Sequence, residues 1–162
     1  MLEVLQPLAQ EIAVGLDFSW GMLGVARATG ASLVRANALA PPFAGAFDLV
    51  TCFSALGHFL PSEQPALVRS IREVLRPGGR FVFETGRMPK WSSRGYWIAR
   101  GFNAAMHVRN AVWRPPFIMY YLTFLLPKAR ILLEREGFEV RVEEGIFDPP
   151  YEHYLLVDAL RK

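Results

Sequence analysis

The sequence is poor in the features that mark several protein classes. It holds one cysteine, Cys52, inside an apolar stretch. No internal disulfide can form, and a buried, inert thiol in a reducing cytoplasm is the expected state. Its 18 Lys and Arg against 15 Asp and Glu leave a net charge of +3 with no run of like charges, which argues against a nucleic-acid partner. The longest apolar run, Phe117 to Leu126, is about half the ~20 residues of a spanning helix, so contact with a membrane surface is open to it but a crossing is not. The amino terminus lacks the basic region and apolar core of a secretory leader. The three histidines show no metal-ligand spacing and no serine stands in a nucleophile elbow, so neither a metal site nor acyl-enzyme chemistry is expected. With no repeat, low-complexity tract or linker, residues 1–162 read as a single domain.

What is present is an alternation of strands and helices. Phe47–Phe53 reads as a strand, Ser54–His58 as a loop, and Leu67, Ile71, Val74 and Leu75 as the buried face of a helix. The turn Arg76–Gly79 then ends that helix and leads into a strand, Arg80–Thr85. This is a βαβ unit, and its near-continuous apolar strands suit a parallel sheet covered on both faces. Ahead of it, Leu2, Leu5, Leu8, Ala9 and Ile12 recur at helical spacing, and Ile12–Leu16 is a short strand ending at Asp17. Ser19 caps a helix with Met22, Leu23 and Ala26 inward and Gly30 at its close, and Ser32–Asn37 is a further strand. Beyond the unit, residues 86–126 form an aromatic-rich insertion read as two helices, Ser93–Trp113 and Pro116–Leu126. Its aromatics either build a small core of their own or line an apolar substrate pocket. A helix to Glu136, stopped by Gly137, precedes strands Phe138–Val142 and His153–Leu160, which pair antiparallel. The expected fold is α/β: a Rossmann-like, mostly parallel sheet with a carboxyl-terminal antiparallel strand pair and a helical insertion.

In such a sheet ligands bind beyond the carboxyl ends of the strands. Asp17 stands there as a carboxylate able to accept hydrogen bonds from ribose hydroxyls, or to help Ser19 cap the helix. Asn37 is placed to meet an adenine edge, with Leu39 and Phe43 as apolar cover, or to form a turn. His58 lies where a base would act, or is a polar loop side chain. Asp48 begins its strand at the opposite edge and is assigned to structure.

Four stretches in order, Val14–Leu23, Asn37–Phe43, Phe47–Val50 and Val74–Phe83, resemble successive motifs of the class I S-adenosylmethionine-dependent methyltransferases. The resemblance implies that Asp17 binds the ribose and that Asn37 and Ala38 face the adenine. It places the loop Phe53–His58 beside the methionine moiety, so the implied cofactor contacts are Asp17, Phe18, Asn37, Ala38, Leu39, Phe53 and Ser54. The implied reaction is methyl transfer from S-adenosyl-L-methionine to a small apolar or aromatic acceptor, resting on alignment of the reactants, with His58 or Tyr96 as candidate bases.

Similar enzymes carry a central strand and glycine-rich loop before the first helix, and this chain begins after that point. Its absence would leave backbone groups unpaired beside the Phe47–Phe53 strand. Direct closure, a strand swapped in a homodimer, or a partner chain would each answer it. The alternative function is a cofactor-free, methyltransferase-like binding or assembly module. A nicotinamide-dependent reductase is a third reading, from the acidic strand end and the approximate spacing of Tyr96 and Arg100.

Overall fold

The protein is described here by a computed structural model covering residues 2–9, 11–113 and 118–162. It divides into two compact units, Met1–Ala44 and Gly45–Lys162.

The first unit contains helix α1 (Leu2–Leu5), strand β1 (Val14–Asp17), helix α2 (Trp20–Ala26) and strand β2 (Ser32–Arg35). β1 and β2 pair in parallel, from Val14 opposite Ser32 to Asp17 opposite Arg35. The opening helix is shorter than its apolar spacing suggests: a 3-10 turn holds Gln6–Leu8, with Pro7 at its start, and Ala9 is already extended. Gly15 is what lets α1 lie over β1. A Cβ there would fall 2.6 Å from the Leu2 side chain and 2.9 Å from that of Leu33. The Ser19 hydroxyl accepts the Met22 amide at 3.4 Å, as an N-cap does, and only Leu23 of the helix is buried. Gly30, at φ 73°, closes the 3-10 extension of α2 in the left-handed region that glycine tolerates.

The second unit is a four-stranded sheet in the order β3 (Phe47–Cys52), β4 (Leu75–Gly86), β6 (Tyr154–Arg161), β5 (Phe138–Glu143). β3 and β4 are parallel, joined by helix α3 (Gln64–Val74), and β6 runs antiparallel to both neighbours. The register sets Phe81 beside Ala159, Phe83 beside Val157 and Thr85 beside Leu155, and all six are buried. That face meets α3 through Leu67, Val68 and Ile71, while helix α5 (Leu126–Arg135) packs on β5 with Ala129 and Leu133 buried. A mixed sheet of this kind is the α/β fold that the pattern of elements predicts. Among the described residues, no strand pairs with the outer edge of β1 or of β3.

Two expectations need correction. The Pro77-Gly78-Gly79 turn does not end α3: the helix stops at Val74, and residues 75–79 are already strand, with a register shift between Phe47 and Leu49. The helix end is met instead by Arg161, whose guanidinium donates to the carbonyl of Arg72 at 2.6 Å and to that of Leu75. The second insertion helix is also absent where it can be read. Residues 116 and 117 lie outside the described residues, and Ile118–Leu125 is irregular, with Leu122 and Phe124 at positive φ. Its backbone bonds outward, to Gly57, Asn103 and Thr85, so no helical ladder forms. The first insertion helix stands as expected, as α4 (Arg94–Trp113).

Phe83 is wholly buried, its ring 4.6 Å from that of Phe81 and 5.5 Å from that of Phe124. Phe83→Ala is expected to lower the unfolding free energy by about 3–5 kcal/mol, the usual cost of an aromatic-sized cavity. Urea denaturation followed by circular dichroism measures it.

Candidate active site

In the first unit the carboxyl ends of β1 and β2 bring Asp17, Phe18, Asn37, Ala38 and Leu39 to one edge of the parallel pair. Asp17 is half-buried, and its Oδ1 accepts the Ser19 amide at 2.7 Å. That bond completes the cap of α2 but leaves further acceptor capacity on the carboxylate. Opposite it, Arg35 donates from Nε to the Phe18 carbonyl at 3.0 Å, and its guanidinium lies 5.0 Å from the Phe18 ring and 5.1 Å from that of Trp20. Both rings are exposed, so a cation and two aromatic faces frame the strand end. Asn37 is engaged by a turn: its Oδ1 accepts the Leu39 amide at 2.9 Å and its carbonyl accepts that of Ala40 at 3.0 Å.

In the second unit the loop after β3 is held by a residue that sequence reasoning missed. Ser54 adopts φ 56°, uncommon for a non-glycine residue, and its amide donates to Glu84 Oε1 near the end of β4. Glu84 Oε2 is buried without a hydrogen-bond partner. Burial pushes the Glu84 carboxyl above its ordinary 4.5, against the lowering effect of amides from Ser54 and from Glu84 itself. Burial, with the charge of Glu84 adding to it, also pushes the Cys52 thiol up to about 12, so this thiol is inert. The signal available in the sequence was an acid closing the apolar run Phe81-Val82-Phe83.

The two proposed bases are not brought to one cavity. His58 ends a 3-10 turn, Leu56–His58, and its Nδ1–H donates to the Ile118 carbonyl at 2.7 Å. Because a carbonyl only accepts, the ring proton sits on Nδ1. Tyr96 instead lines a cleft of about 220 Å³ beneath α4, and His58 is not among the lining residues. Tyr96, Arg100, Asn103 and His107 form a polar stripe at helical spacing toward this cleft. The buried Tyr120 hydroxyl receives the Asn110 amide at 2.7 Å and stands 3.4 Å from His107 Nδ1. Asn103 exchanges two bonds with the Tyr121 backbone, at 2.6 and 2.8 Å, which pins the irregular segment to α4. The insertion's aromatics therefore divide: Tyr120 and Phe124 are core, Tyr96 and Tyr121 line the cleft, and Trp91, Trp97 and Trp113 are exposed.

A family model described as "Methyltransferase domain" matches residues 1–83, half of the chain. Over 86 residues the chain is 37% identical to a demethylmenaquinone methyltransferase of Corynebacterium kroppenstedtii, an alignment that takes in 51% of this chain and 37% of that protein. The chain thus spans little more than a third of that curated relative. It is similar in fold to a SAM-dependent methyltransferase of Methanosarcina mazei, with a TM-score of 0.66 and 17% identity over 91% of this chain and 81% of the other. A possible histamine N-methyltransferase of Thermotoga maritima aligns with a TM-score of 0.68 and 16% identity, covering 96% of this chain and 75% of that one. The Synechocystis magnesium protoporphyrin IX methyltransferase, solved with bound SAH, gives 0.63 and 16% over 97% and 68%. The chain belongs to the methyltransferase-domain family, and its fold is the Rossmann-like fold of the class I S-adenosylmethionine-dependent methyltransferases. Among the described residues, no helix is long and apolar enough to cross a membrane.

The raised carboxyl of Glu84 carries a pH signature. A carboxyl held above its ordinary value binds its proton more tightly in the folded state, so its contribution is full below pH 4.5 and is lost as pH rises through the folded-state value. Glu84→Gln, which keeps an acceptor for the Ser54 amide, is expected to stabilise the protein at neutral pH. The gain should shrink as pH falls through the raised folded-state value and be gone below 4.5. Denaturation midpoints of the two proteins across that range read the difference.

Proposed function

We propose that the chain takes part in methyl transfer from S-adenosyl-L-methionine to a small apolar or aromatic acceptor. The observation that carries this reading is Asp17: a half-buried carboxylate at the carboxyl end of a parallel strand, inside the segment matched by the methyltransferase family. The chemistry of the residues suits the donor. Asp17 keeps lone pairs for the two ribose hydroxyls after its bond to Ser19. The apolar Leu39 and the backbone of Ala38 are assigned to the adenine, and the Asn37 amide retains donors because its turn uses only the carbonyl oxygen. Phe18 offers a ring face beside the same strand end. In their own unit, Phe53 and Ser54 are the proposed contacts for the methionine part, in the loop that Glu84 fixes.

Bound here, the donor supplies an electrophilic methyl group on a positively charged sulfur. The protein's task is then to orient the acceptor and exclude water, which for such a transfer supplies most of the rate. The α4 cleft is the proposed acceptor site, with the Tyr96 hydroxyl as the candidate base on its wall. His58, which does not line this cleft, is assigned instead to holding the loop after β3 through its bond to Ile118. We take residues 1–162 to act as one methyltransferase-like domain, with a strand from a second copy added at the outer edge of β3, where no described strand pairs. Mass in solution tests that addition.

Calorimetry with S-adenosylmethionine and S-adenosylhomocysteine is expected to show binding. Asp17→Ala should weaken it by roughly tenfold to a hundredfold, equivalent to losing one charge-assisted hydrogen bond of about 1.5–3 kcal/mol. A folded protein that binds neither compound would leave the chain as a cofactor-free binding module.

A further inference from the structure

Helix α4 is apolar on the wrong side. Its inner side carries the polar stripe that lines the cleft, with Phe102 and Met106 half-buried beside it. Its outer face carries Trp97, Ile98, Val108 and Val112, which are between 61% and 69% exposed. At 3.6 residues per turn these four side chains fall on one arc, and only small residues lie between them apart from Arg94 at the helix start. Arg100 stands at one border of the arc and Arg109 at the other. A contiguous exposed apolar arc of this kind is normally one that something covers.

The charge of the surrounding segment selects the cover. Residues 85–133 contain eight Lys or Arg and no Asp or Glu, although the chain as a whole is nearly balanced. A second copy set against this face would bring two such basic segments together, which like-charge repulsion opposes. An anionic surface with an apolar layer beneath it answers both features at once. The exposed Trp91 and Trp113 flank the helix, as ring systems of this kind do at a bilayer's headgroup level. With Arg94, Arg100 and Arg109 along its length, the helix lies in the plane of such a surface.

We infer that α4 docks on the surface of a bilayer rich in anionic lipid, its Trp97–Val112 face in the acyl boundary and its flanking arginines among the headgroups. This holds whatever reaction the chain serves, because it rests on the outer face of the helix alone.

Sedimentation of the full chain with phosphatidylglycerol-containing vesicles, against pure phosphatidylcholine vesicles, is the test. The expected result is retention by the anionic vesicles only, release at high salt, and a shift of tryptophan emission to shorter wavelength on binding. The double variant Ile98→Glu/Val108→Glu changes only exposed side chains and is expected to lower the bound fraction by about tenfold, as a charge placed in an apolar interfacial face does. Val112→Glu alone gives the same reading if the double variant does not fold. No retention of the wild-type chain, or equal retention of folded variants, overturns the proposal. So does a dimer that the variants dissociate in a chain that ignores vesicles, because a second copy then covers the face.

Discussion

Strand β4 is the element on which the second unit depends, because it is paired on both sides, in parallel to β3 and antiparallel to β6. A strand in that position satisfies nearly all its backbone groups within the sheet and frees its side chains to separate two environments. Phe81, Phe83 and Thr85 enter the core beneath α3. Glu84 faces the other way and reaches the loop after β3. The same few residues therefore build the core and shape the ligand edge. Thr85 links the two by donating its hydroxyl to the Phe124 carbonyl at 2.7 Å, which brings the insertion against the sheet.

Polar side chains near the ligand edges are largely engaged in local work. Asp17 caps α2, Asn37 closes a turn, His58 holds the segment after α4, and Glu84 holds Ser54 in a left-handed conformation. Each bond removes a conformational freedom that a bound molecule would otherwise have to quench, which is preorganisation in physical terms. The cost is that each group meets a ligand with part of its bonding capacity already committed. Asp17 bears this best, because a carboxylate has two oxygens to share.

The order of elements was legible in the sequence because apolar spacing and punctuation agreed: Ser19 and Gly30 bounded α2, and Gly137 preceded β5. The misreadings came where tertiary bonds overrode local preference. Ile118–Leu125 is apolar enough for a helix, but Gly57, Thr85 and Asn103, all distant in sequence, take its backbone groups. The Pro-Gly-Gly stretch looked like a helix stop, yet Arg161 supplied the stop from far along the chain. Glu84 escaped notice because its role is made by the Ser54 amide, thirty residues earlier and visible only in three dimensions. The outward apolar face of α4 was hidden for a related reason. The helix has a polar stripe and an apolar arc, and only the structure shows that the stripe turns to the cleft and the arc to solvent.

The bond from Arg161 to the carbonyl of Arg72 joins residues 89 apart. On a ribosome, α3 is made long before the side chain that satisfies its last turn, and at about 5–20 residues per second the wait lasts several seconds. During that interval β6 is also missing, so β4 has a parallel partner on one side and an open edge on the other. The second unit is thus a late closer. Its central strand stays sticky in the nascent chain until nearly the last of these residues emerges, and this is the stage at which a chaperone or a wrongly paired strand would find it.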